Sequence, residues 1–230
     1  MSTLLFTGFP GFLGVQLLPR VLSRLPNSTV TCLIQSNFAD LATRQLEELV
    51  EANPDLAGRI DLVTGDITVP GLGLDDPTAL AAGVTEVWHL AAVYDLSVPR
   101  DVAMRVNVEG TRNVLDFAER ADSLQRFHYV STCYVSGRYA GAFGEDDLDV
   151  GQQFNNYYEE TKFLAEVEVQ TRRDQGMPTT IYRPSVVVGD STTGQTQKYD
   201  GPYYALQLLL RQGRWAVMPT VGDPTLHRFN

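Results

Sequence analysis

Short apolar and β-branched runs alternate along the chain with longer segments in which apolar residues recur every three or four positions. The runs predict strands at Thr3–Thr7, Thr29–Ile34, Ile60–Val63, Glu86–Leu90, Arg126–Ser131 and Thr179–Arg183. The periodic segments predict helices over Phe12–Arg24, Asp40–Glu51, Arg100–Arg120 and Tyr157–Arg173, with Leu13, Leu17, Val21 and Leu25 showing the spacing well. Strand and helix in alternation is the pattern of parallel strands joined by right-handed crossovers. The expected class is therefore α/β with a doubly wound parallel sheet.

Pro10-Gly11, Asn53-Pro54, Pro70-Gly71 and Asp76-Pro77 punctuate these elements as turns or helix starts. The stretch from Gly189 to Pro202, rich in Thr, Gly, Gln and Asp, has neither period and reads as a long loop, after which a helix resumes from Tyr203 to Gln212. Residues 1–230 read as a single domain. The stretch from about 190 to 230 is expected to begin an incomplete substrate-binding region, because the chain ends at Leu226-His227-Arg228-Phe229-Asn230 without a stop signal.

A formal charge of −10 argues against binding a nucleic-acid backbone, which needs a basic face. Any anionic ligand must be held locally. Cys32 and Cys133 lie in apolar runs and read as reduced thiols, which points to the cytoplasm. The run Leu4–Phe6 is broken at once by Gly8, Pro10 and Gly11, so it cannot serve as a signal peptide. No later stretch is long enough to span a bilayer.

Strand, glycine turn and helix follow one another at Leu4-Leu5-Phe6-Thr7-Gly8-Phe9-Pro10-Gly11-Phe12-Leu13-Gly14. Glycines permit a tight turn and close approach of a ligand, and the helix N-terminus offers unpaired N–H groups to a pyrophosphate. This makes the sheet Rossmann-type and implies a dinucleotide cofactor. The glycines are spaced Gly-x-x-Gly-x-x-Gly, not Gly-x-Gly-x-x-Gly, so they depart from the usual dehydrogenase fingerprint. At the end of the second strand, where an acidic residue often holds the ribose, stands Gln35-Ser36-Asn37. With no carboxylate there, and with Arg44 one turn beyond Asp40, NADP is favoured over NAD; Arg44 reads equally as a solvated helix residue. Asp66 is placed either to accept from an adenine amino group or to cap a turn. His89-Leu90-Ala91-Ala92 ends the fourth strand in small residues against which a cofactor could lie. His89 alone reads as a packed histidine. With His128 and His227 it has no chelating spacing, so no metal is expected.

Tyr158 and Lys162 stand four apart at a helix start and share a face. An ammonium beside a phenol favours phenolate, lowering the tyrosine pKa from about 10 toward the range of a working acid or base. The pair gains weight from the strand end Val130-Ser131-Thr132, since ligands of open parallel sheets bind beyond the carboxyl ends of the strands. Thr132 could there polarise a carbonyl while Tyr158 transfers the proton.

With Gly8-Gly11-Gly14, Ser131-Thr132 and Tyr158/Lys162 in this order, the chain resembles the extended short-chain dehydrogenase/reductase family over nearly its whole length. Asn107-Val108-Glu109-Gly110-Thr111 and Arg183-Pro184 look like further motifs of that family. The segments from Val130 to Gly137 and from Arg183 to Ser191, with Thr193-Gly194, look like its thioester-reductase and fatty-acyl-reductase branch. The resemblance implies that Thr132, Tyr158, Lys162 and Asn107 are catalytic, Asn107 through helix geometry or a water relay. It implies cofactor contacts at Gly8, Phe9, Gly11, Phe12, Leu13, Gly14, Gln35, Arg44, Asp66, Ile67, Ala91, Ala92, Asn107, Ser131, Lys162, Arg183, Pro184 and Ser185. The branch usually carries an arginine where this chain has Gln35. The implied activity is NAD(P)-dependent hydride transfer to or from a carbonyl or acyl substrate, such as an acyl thioester. The alternatives are a nucleotide-sugar epimerase or dehydratase holding NAD tightly, and a non-catalytic cofactor sensor. A small-molecule substrate is expected and a homodimer is compatible with the resemblance. Family members continue for roughly another domain fragment, which usually completes the substrate pocket.

Overall fold

The structure, a computed structural model, describes residues 2–95, 97–196, 199 and 201–212. Six strands form one parallel sheet: β1 (Ser2–Thr7), β2 (Ser28–Ile34), β3 (Ile60–Thr64), β4 (Val84–His89), β5 (Arg126–Val130) and β6 (Thr179–Tyr182). Their order is β3-β2-β1-β4-β5-β6, with every pairing parallel. The order reverses direction between β1 and β4, and this switch point opens a crevice at the carboxyl edge.

The helices are α1 (Phe12–Arg24), α2 (Ala39–Ala52), α3 (Pro77–Ala82), α4 (Arg100–Ala103), α5 (Gly110–Ala118), α6 (Tyr157–Asp174) and α7 (Pro202–Arg211). Side chains on a strand alternate between faces. Accordingly Leu4, Phe6, Val30, Cys32 and Ile34 pack with Leu18 and Leu22 of α1, whereas Leu5 and Leu33 join Val114, Leu115 and Phe117 of α5 on the other face. Emptying one of these positions, as in Phe117→Ala, would cost about 3–5 kcal/mol.

Two features depart from the sequence expectation. The helix expected over Arg100–Arg120 is α4 and α5 joined through a π-type turn at Met104–Glu109, where one residue more per turn swings Asn107 inward. The short α3 was marked only by Asp76-Pro77; Asp76 Oδ1 accepts the Ala79 N–H at 2.9 Å and caps it. In the stretch expected as a loop, Asp190 Oδ1 accepts the N–H groups of Thr192 and Thr193 at 2.9 and 2.8 Å. His227 and most of the expected incomplete region lie outside the described residues.

Candidate active site

The glycine turn leaves β1 at Thr7 and enters α1. Gly8 has a φ of +94°, and a Cβ on it would lie 2.8 Å from Leu90 Cβ and 2.9 Å from the Ala91 nitrogen. A Cβ on Gly14 would lie 2.5 Å from the Gly8 carbonyl oxygen, and one on Gly11 2.8 Å from the same atom. That oxygen accepts the Gly11 N–H at 2.9 Å, which closes the turn. The first turn of α1 has neither a side-chain cap nor an acidic residue, so its N–H groups and positive dipole end are left for an anion. The backbone thus forms a cradle that fits the pyrophosphate of a dinucleotide. Phe9 packs its ring into the α1-side core and can offer a ligand only its backbone. Phe12 and Leu13 are half-buried at the helix start.

Beyond the ends of β2 and β3 lies a cavity of about 410 Å³, lined by Gln35, Ser36, Asn37, Thr64, Gly65, Asp66 and Gly73. Asp66 Oδ1 accepts the Thr68 N–H at 2.8 Å, so this carboxylate serves a turn and walls the cavity at once. Ile67 is buried, and its carbonyl accepts from Asn113 Nδ2 at 2.7 Å. Arg44 is exposed on α2 and is not among the lining residues. The loop after β4 brings Ala91 and Ala92, both half-buried, beside the glycine turn.

At the end of β5, Thr132 is buried; its Oγ1 accepts the Tyr134 N–H at 3.3 Å, and its side chain lies beside Tyr158. Asn156 caps α6 by accepting the Glu159 N–H at 2.9 Å, which places Tyr158 in the first turn and Lys162 one turn on. Lys162 is buried and donates from Nζ to Tyr129 Oη at 2.8 Å and to the Val130 carbonyl at 2.9 Å. Burial pulls its ammonium down to about 7, opposed by Glu166. The expected depression of the Tyr158 pKa is not found. Burial raises that phenol above its ordinary value and outweighs the lowering effect of Thr132 beside it, while Lys162 is engaged on β5.

The male sterility protein family, a family of NAD-binding domains, matches residues 6–224. The chain belongs to that family. Among solved structures, the terminal R domain of the myxalamid PKS-NRPS biosynthetic pathway superimposes with a TM-score of 0.81 at 31% identity, over 92% of this chain and 56% of that one. A linear gramicidin synthase polypeptide of Brevibacillus parabrevis is 32% identical over 85% of this chain and 4% of its own length. Fatty acyl-CoA reductase wat of Drosophila melanogaster is 25% identical over 94% of this chain and 49% of its own length. The chain thus spans at most about half the length of these two relatives. Fold and family together place it among extended short-chain dehydrogenase/reductase-type, NAD(P)-binding domains.

In this male sterility-type domain, several residues expected at the cofactor also tie the polar interior together. Arg183 directs Nε and Nη2 to Glu166 Oε1 at 3.0 and 2.6 Å, Nη1 to the Gly144 carbonyl at 3.0 Å and Nη2 to the Asp147 carbonyl at 2.7 Å. With its fork so occupied, it clamps the 144–147 loop to α6. Ser131 donates its hydroxyl to the other oxygen of the fully buried Glu166 carboxylate. The Pro184 carbonyl accepts the Cys133 N–H at 3.1 Å, and Ser185 is exposed. Asn107 holds the loop after β4: it accepts the Val93 N–H at 2.9 Å and donates to the Val93 carbonyl and to Thr161 Oγ1, each at 3.0 Å.

Glu166 and Tyr129 belong to this polar interior but form no recognisable spacing. Only the position of Glu166 one turn beyond Lys162 could have signalled it. His89 is fully packed, with Nδ1 2.7 Å from Thr7 Oγ1 and Nε2 3.0 Å from Thr111 Oγ1, and burial drives its pKa down to about 3. Among the described residues no group of three or more His, Cys, Asp or Glu could hold a metal, and no helix is long and apolar enough to cross a membrane.

Proposed function

We propose that the domain carries out NADP-dependent reduction of an acyl or carbonyl substrate, with an acyl thioester as the favoured class. The observation that carries this reading is the placing of Thr132, buried at the end of β5, beside Tyr158, with Lys162 buried one turn further along α6. When bound, the cofactor supplies a hydride to the carbonyl carbon. The chain's own residues then handle the oxygen. Thr132 donates to it, Tyr158 delivers a proton as negative charge develops, and Lys162 stabilises the phenolate left behind. The thioester preference is supported by the likeness to a fatty acyl-CoA reductase, whose substrate is an acyl thioester.

The neutral rim Gln35-Ser36-Asn37 supports NADP, because it places no carboxylate against a 2′-phosphate at the end of β2. Arg44 is an exposed cation on α2, the helix that follows this rim. Loss of absorbance from reduced nicotinamide, followed with NADPH and NADH against acyl-CoA esters and aldehydes, tests both parts. Consumption with acyl-CoA and a preference for NADPH are expected. Cofactor binding without consumption on any of these substrates would overturn the enzymatic reading.

A further inference from the structure

Tyr129 lies on the covered face of β5, fully buried, and no motif marks it. Its hydroxyl accepts from Lys162 Nζ at 2.8 Å, and the same Nζ stands 4.3 Å from the centroid of its ring. The Val130 carbonyl accepts a second bond at 2.9 Å. An ammonium has three N–H donors, so β5 engages two of them.

The direction of the Tyr129 hydroxyl follows from its neighbours. Thr111 Oγ1 donates its proton to the Asn107 carbonyl at 2.6 Å, so toward its other partners it must accept. It takes the Nε2–H of His89 at 3.0 Å. The Lys162 ammonium has only N–H groups to offer, so the Tyr129 oxygen is the acceptor of the bond between them. His89, protonated at Nε2, presents a bare Nδ1 to the Thr7 hydroxyl at 2.7 Å. Thr7 Oγ1 in turn accepts the N–H groups of Leu90 and Ala91, each at 3.2 Å, beside the glycine cradle. The chain of hydrogen bonds from the cradle to Thr111 has one consistent polarity, and beside it Tyr129 accepts from Lys162.

We infer that the Tyr129 hydroxyl is the positioning group of Lys162: with the Val130 carbonyl it turns two N–H bonds inward and leaves one for a ligand in the crevice. The identity of that ligand, a cofactor ribose, rests on the function proposed above; the positioning does not. The titratable groups around Lys162 are Glu166 on α6, Tyr129 on β5 and His89 on β4, with Tyr158 alongside Tyr129. Because burial already brings Lys162 to about 7, losing one acceptor of its charged form moves its titration within an accessible range.

The test is direct because the chain contains two lysines, Lys162 and Lys198. In a Lys198→Arg background carrying lysine enriched in carbon-13 at Cε, the remaining NMR signal titrates Lys162 without cofactor or turnover. Tyr129→Phe keeps the ring and removes the acceptor, and should lower the titration midpoint by about one pH unit. Replacing Tyr129 by 3,5-difluorotyrosine keeps the hydroxyl but weakens it as an acceptor, and should lower the midpoint by less. An unchanged midpoint in Tyr129→Phe overturns the inference; should that variant not fold, an unchanged midpoint with the fluorinated tyrosine does so. A shifted midpoint in a protein that consumes no reduced nicotinamide would overturn the proposed function alone. An unshifted one in an active enzyme would overturn the positioning role alone.

Discussion

The two halves of the sheet build their share of the crevice by different means. Around β1, β2 and β3 the site is mainly backbone: a glycine turn, the open end of α1 and a cavity edged by neutral residues and the one carboxylate of Asp66. Around β4, β5 and β6 it is a buried polar interior in which His89, Tyr129, Lys162, Glu166 and Arg183 are satisfied by one another or by nearby backbone and hydroxyl groups. No buried side-chain nitrogen or oxygen among the described residues lacks a partner. A backbone cradle depends on space, and a buried network depends on complete pairing. The first half should therefore fail by steric insertion and the second by loss of a single hydrogen-bonding atom.

The largest effect is expected at Tyr158. Tyr158→Phe should reduce turnover by about 10²–10⁴-fold while leaving cofactor affinity nearly unchanged, as read by nicotinamide absorbance and a fluorescence titration. A matching loss of affinity would show that the two halves are not separable. Glu166→Gln removes the charge that Arg183 pairs with at 2.6 Å. It should destabilise the fold by about 3 kcal/mol in urea titration, an effect large for one atom because the pair is buried. If stability is retained, the interior of the second half does not depend on complete pairing.

Gly14→Ala tests the first half, since its Cβ would press within 2.5 Å of the Gly8 carbonyl oxygen. The turn must open, and cofactor affinity should fall on the order of 10- to 100-fold with a modest loss of stability. Wild-type affinity would mean that the cradle is not the binding surface. The last effect is on pH dependence and is spread over several pH units. His89 titrates at about 3 in the fold against 6.5 when solvated. The unfolded chain therefore takes up the proton first, and the stability held by neutral His89 is complete above 6.5 and lost as the pH falls toward 3. The slope should approach about 1.4 kcal/mol per pH unit and flatten in His89→Gln, as measured by urea titration at successive pH values.

The legible parts of the molecule were those coded by neighbours in the chain. The strands came from short apolar runs, α1 and α6 from their spacing, and the glycine turn from three glycines placed between a strand and a helix. The grouping of Thr132, Tyr158 and Lys162 follows from the rule that parallel strands open their ligand sites at one edge. The π-type turn at Met104–Glu109 was not legible, because no residue type there demands it.

The sequence by itself thus determined the alternating α/β chain, the edge at which chemistry gathers and the place of the glycine turn. Only the tertiary structure decided what the polar side chains do there. Arg183 and Ser131 turn to Glu166, Asn107 turns to Val93, and Lys162 turns to Tyr129, across separations of 14 to 35 residues. Local spacing cannot encode such choices. A buried donor takes whichever acceptor packing brings within reach, and the cost of leaving it unpaired makes that assignment binding.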